Sequence, residues 1–196
     1  MQQMFRKTAV SMAMALALMA GACDRQAADG GGTEAPKMDS PMPESEPARA
    51  FTPADDNSRT LTGRLTLTLT TRMAGAGEAN GPTEFLTLRA ETGLSIDAEL
   101  ATAAAPSETV SGQTIRALMD LPVEASQALV YRITEEQAPG AGRGLCGERA
   151  ATHIAVWEPE DSAQSGLKLL ALHGGAPGEA AAESCAALTY ARADGT

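Results

Sequence analysis

Aromatic residues are nearly missing from this chain: three Phe, two Tyr and a single Trp in 196 residues. Stacking platforms for bases or sugars therefore have little to be built from. Basic residues are also short, with fifteen Lys and Arg against twenty-five Asp and Glu and a formal charge of −10. A chain of that sign is repelled by phosphate backbones and anionic headgroups, so nucleic acid is not an expected partner. The hydrophobic fraction of 43% leans on Ala, which buries little area per residue, so a thin core helped by a cross-link is expected. There is no G-x-S-x-G, no internal repeat and no closely spaced cysteine pair, the marks of a serine hydrolase, a solenoid and a zinc ribbon respectively.

The most informative stretch that is present comes first. Arg6 and Lys7 form a short cationic segment, and Thr8 to Met19 is an uncharged apolar run shorter than the roughly 20 residues a spanning helix needs. Small residues, Ala20-Gly21-Ala22, then lead directly into Cys23. This layout resembles the lipobox of bacterial lipoproteins, in which such a cysteine is lipidated and becomes the new N-terminus after cleavage. Ala20 departs from that pattern, which usually has Leu three residues before the cysteine. The resemblance covers the signal alone. It implies a signal peptide over 1–22, lipidation at Cys23 and a periplasm-facing place on the cell envelope, with acyl chains adding about 0.8 kcal/mol per buried CH₂. The alternative is a secretory signal cut near Ala22 that leaves Cys23 a free thiol. Asp24 resembles a retention signal used in some bacteria, which leaves inner versus outer membrane open. Loss of Arg6 and Lys7 with the leader lowers the charge by two, to −12.

Residues 23–57 are Gly, Pro, Ser, Ala and acid with hardly a large apolar side chain, a composition that cannot offset the entropy of ordering. They read as a disordered tether with an r.m.s. reach of roughly 30–35 Å. Met38 and Met42 in this stretch are two thioethers, too few for a copper site, and Asp55-Asp56-Asn57 lacks the alternation of a calcium loop and reads as a solvated turn.

A β-rich domain is expected over 58–196. Its clearest strand is 59–72, where Leu61, Leu65, Leu67 and Leu69 alternate with Thr and Arg, and Gly63 marks a bulge or bend. Further strands are expected at 84–90 and 94–100, joined by a turn at Glu91-Thr92-Gly93, and at 128–135, 152–158, 166–173 and 184–192. Residues 110–121 fit either a short helix opened by Ser111 or another alternating strand, and 179–192 is likewise open between helix and strand. The fold class is mainly β: an antiparallel sandwich or small barrel with one or two short helices, after the tether.

Once Cys23 is assigned to the anchor, Cys146 and Cys185 are left as an even pair in an oxidising compartment, and a disulfide between them is expected. The competing use of these thiols, with His153 and His173 as a zinc set, has wide spacings, and no metal or other cofactor is expected. Gly142 to Gly147 matches G-x-G-x-x-G but opens no helix and sits in no βαβ unit, so it reads as a loop that positions Cys146. Trp157, Glu158, Glu160 and Asp161 gather the lone Trp beside three acids; a glycosidase would need a sugar cleft around them, so they read as a solvated loop, with contact to a basic envelope partner as the functional alternative. The expected function is a non-catalytic protein-binding or accessory module on the envelope. The alternatives are a small apolar-ligand carrier in a β-barrel, its cavity lined by the leucines of 59–72, and an inhibitor of an envelope hydrolase.

Overall fold

Leucine at every second position puts one face of a strand in a dry interior and leaves the threonines between in water. Leu65–Arg72 is built this way: Leu65 and Leu67 are buried while Thr66 and Thr68 are half-exposed. The computed structural model describes residues 43–73, 81–139, 143–159 and 166–193, all within a unit that begins at Asp39. The strands are β1 (Glu44–Ser45), β2 (Arg49–Pro53), β3 (Leu65–Arg72), β4 (Thr83–Ala90), β5 (Ser95–Ala104), β6 (Thr109–Val110), β7 (Gln113–Thr114), β8 (Ala128–Gln137), β9 (His153–Trp157), β10 (Gly166–His173) and β11 (Glu183–Arg192). Two short helices join them, α1 (Asp56–Leu61) and α2 (Ile115–Met119).

Strands β2, β3, β4, β5, β8, β9, β10 and β11 each pair antiparallel with the next, and β11 pairs back onto β2. The result is an eight-stranded closed barrel, so the mainly-β reading holds and of its two architectures the barrel is the one formed. Closure leaves no edge in the ring for another chain to pair with. Outside the ring, β6, β7 and α2 form a cover whose Val110, Ile115 and Met119 pack over Val130, Ala155, Leu170 and Leu172 of the barrel wall.

Chain direction alternates round the ring, which sorts the connections between two ends. The floor carries α1, the tight turn after β4 and the loop between β8 and β9. Leu94, Leu145 and Ala151 come from those connections and join the inward residues of the strands in one core. Space left among them is about 10 Å³, at the threshold for a single water. Glu136 stitches the floor loop to β8, its carboxylate accepting from the backbone N–H of Leu145 at 2.7 Å and of Ala151 at 3.0 Å. The Cys146–Cys185 disulfide, with Cα atoms 4.9 Å apart, ties the same loop to β11. Tyr190 closes the layer above, its hydroxyl 2.6 Å from Thr62 Oγ1, and burial pushes its pKa up to about 12.

Several boundaries differ from the sequence reading. The expected tether through residue 57 overlaps folded structure: β1, β2 and the start of α1 lie in it, and Phe51, its one large apolar residue here, is 2% exposed. One anchor suffices because backbone pairing with β3 and β11 supplies the rest. Residues 59–61 belong to α1 instead of a strand, and Gly63, at φ +64°, makes the bend before β3. Asp55-Asp56-Asn57 opens that helix. Asp55 caps it by accepting from Ser58 N at 2.6 Å and also from Thr189 N at 2.6 Å. Burial pushes the Asp55 carboxyl up, but those hydrogen bonds outweigh it and hold the pKa below the ordinary value. The open segment 110–121 contains both forms, strand at each side of a turn at Ser111 and helix from a Thr114 cap. Residues 183–192 are strand, and the turn at 91–93 is a hairpin as expected. Cys23, Met38, Met42, Gly142, Glu160 and Asp161 fall outside the described residues.

Candidate functional site

At the end opposite the floor, the inward columns of the barrel change character. Arg49 lies two residues before Phe51, Glu84 two before Leu86, and Glu158 two after Val156, so the parity that buries those apolar residues turns all three polar side chains inward. Tyr131, between Leu129 and Ile133 on β8, points the same way and is 1% exposed. A polar layer thus lies across the mouth above an apolar filling.

Two contacts organise this layer. Arg49 Nη1 donates to Glu158 Oε2 across the barrel. Tyr131 Oη donates to Glu84 Oε1 at 2.5 Å. Burial pushes the Tyr131 phenol far above its ordinary range, with the neighbouring carboxylates of Glu84 and Glu158 adding to the effect and Arg49 opposing it, so it stays a donor at neutral pH. Burial also raises the Glu158 pKa, against the pull of Arg49 and Arg192 and with a further push from Glu46. Arg49 is only partly satisfied: Nε and Nη2 are buried and meet no hydrogen-bond acceptor among the described residues, Nη2 lying 3.9 Å from Glu46 Oε2.

Above the layer opens a cavity of about 620 Å³. Leu69 and Leu129 line it from the barrel wall, Tyr131 and Glu158 from the polar layer, Trp157 and Pro159 from the end of β9, and residues 124–127 from the segment that leads into β8. Two apolar side chains stand free at the same end, Met73 at 52% exposure after β3 and Val123 at 87% before β8.

Of the residues singled out in the sequence, Trp157 and Glu158 both border this cavity. Cys146 and Cys185 are joined to each other at the floor, so neither offers a thiolate to a metal. His153 and His173 are held separately, Nδ1 of the first 3.1 Å from Thr152 Oγ1 and Nδ1 of the second 2.8 Å from the Ala150 carbonyl. Among the described residues no group of three or more His, Cys, Asp or Glu is placed to hold a metal ion. Arg49, Glu84, Tyr131 and Leu129 were not legible as site residues, whereas Leu69 was among the leucines of 59–72 read as lining a carrier's cavity. The signal that identifies the polar members is a charged or phenolic side chain at a strand end on the apolar parity, informative only once the ring is known to close. Such a layer can orient a bound molecule by its polar end while its apolar part rests on leucine and tryptophan.

Comparison of the chain with protein-family models, with curated proteins and with solved structures finds no match in any of the three.

Proposed function

We propose that this chain is a non-catalytic binding module, held at a cell-envelope membrane through acylated Cys23 and facing the periplasm, whose barrel mouth receives a small amphipathic molecule. The observation that carries the reading is the contrast between the two ends: about 10 Å³ left at the floor and about 620 Å³ at the mouth. The larger figure lies within the roughly 300–1,000 Å³ of small-molecule sites. The deep cavity lined by the leucines of 59–72 is not where the space is. Leu65 and Leu67 fill the barrel and only Leu69 reaches the opening. Converging polar groups here are paired with one another, Arg49 with Glu158 and Tyr131 with Glu84, which suits holding a ligand better than moving its protons.

The test uses a neutral naphthylamine dye that fluoresces in apolar surroundings. Trp157, the one tryptophan, lines the cavity and reports occupancy by energy transfer to the dye. Saturable transfer is expected from wild-type protein, and its loss from a folded Leu129→Trp variant that fills the mouth, read by dye fluorescence. Equal binding by both proteins would place the dye elsewhere and end this reading. A second reading, a protein partner seated on the rim, is favoured by the exposed Met73 and Val123. It predicts that Val123→Glu abolishes capture of an envelope protein while leaving the dye bound.

A further inference from the structure

We infer that the molecule taken at the mouth is a lipophilic organic cation, an ammonium or amidinium head on an apolar body, an assignment that rests on the mouth being the binding site. The charged residues among the described lining are Glu124 and Glu158, and no Lys or Arg is part of that lining. Arg49, which pairs with Glu158, gives one nitrogen to it and keeps its other two buried. Among the described lining residues, an anion entering here meets two carboxylates and no cationic side chain. A neutral molecule gains the apolar contact with Leu69, Leu129 and Trp157 but no charge pairing. A cation gains that contact and charge pairing as well, together with the side chain of Trp157, an aromatic group of the kind whose face attracts ammonium groups. Glu158 leans on Arg49 and Arg192 for compensation against burial, and a third positive charge on its open side adds to theirs. The formal charge of −10 draws cations toward the surface before any contact is made.

Three probes that share one body separate the head group from the rest: phenylbutylammonium, phenylbutanol and phenylbutanoate, each titrated into the full mature protein with Trp157 fluorescence as the readout. The ammonium is expected to bind at least about tenfold tighter than the alcohol, and the carboxylate more weakly than either. Raising the salt weakens the ammonium alone. Glu124 is exposed, so Glu124→Gln leaves the fold undisturbed, and Glu158→Gln keeps an oxygen for Arg49. Each variant is expected to bring the ammonium-to-alcohol ratio toward one. Equal affinity of ammonium and alcohol, or a ratio that neither variant moves, overturns the cation assignment and leaves the binding reading standing. Failure of all three probes and of the neutral dye overturns both.

Discussion

Arg49 occupies a position where its strand asks for an apolar side chain, two residues before Phe51 and on the same inward face. Taking a guanidinium out of water costs several kcal/mol unless its partners replace the lost hydration, and Glu158 replaces only part of it. Removing one member of such a pair is worse than removing both, because the survivor stays buried alone. Arg49→Met is therefore expected to lower stability by about 2–3 kcal/mol at pH 8, whereas Arg49→Met with Glu158→Leu returns to wild type or above. The pH dependence has a definite sign. Burial raises Glu158 above its ordinary value of 4.5, so the folded state holds that proton more tightly than the unfolded chain. The stability this gives is complete below 4.5 and is lost as pH rises through the raised folded value. Arg49 pulls that value back down, so its removal widens the window and the single variant loses more at pH 8 than at pH 5. Urea denaturation at the two pH values measures this, and identical midpoints for wild type and Arg49→Met would show that the pair carries no such energy.

Elements were legible in the sequence to the extent that each has one wet face. β3, β4 and the first half of β5 alternate and period two identifies them from the letters alone, whereas β8 and β10 carry apolar residues on both faces and were legible as short apolar runs bounded by loops. β2 has only Phe51 to announce it, and its place is decided by backbone pairing with strands far along the chain. α1 was hidden for a different reason. Its six residues (DNSRTL) have no apolar stripe, and the helix is held by the Asp55–Ser58 capping box, by the Thr189 N–H donating to Asp55 and by the Ser58 hydroxyl donating to the Thr189 carbonyl. The same logic divides the site: Trp157 and Glu158 stood out as a lone aromatic beside acids, while Arg49, Glu84 and Tyr131 gain their meaning only when the ring closes and brings β2, β4, β8 and β9 to one mouth. The cysteine pair was legible because pairing depends on number and compartment. It spans 39 residues and fastens the floor loop that carries Leu145. Constraint of the unfolded chain by a loop of that length is worth around 4 kcal/mol. Cys146→Ser with Cys185→Ser is expected to lose that amount in urea denaturation while dye binding at the mouth persists without denaturant. Loss of binding with little loss of stability would mean that the floor and the mouth are coupled.

For the whole molecule the floor and the mouth differ in what reaches them. β1, the first strand described, pairs through Glu44 with Thr71 near the end of β3, so the chain from the N-terminal side enters the fold at the mouth. An acyl group on Cys23 would therefore be linked to the barrel at the end that carries the cavity, with 20 residues between Cys23 and Glu44. Among the described residues no helix is long and apolar enough to cross a membrane, and the acidic surface is repelled by anionic headgroups. On the proposed anchoring, acyl chains would contribute about 0.8 kcal/mol for each CH₂ buried, which several chains sum to stable attachment and one chain does not. Cys23→Ser is accordingly expected to move the protein from the membrane fraction to the aqueous one and to remove the acyl mass from its N-terminal peptide, while Trp157 fluorescence with the neutral dye stays as in wild type. Retention of a Cys23→Ser protein whose residues 1–22 have been removed would mean that another surface holds it at the membrane, and the exposed Met73 and Val123 at the rim would be the first to mutate.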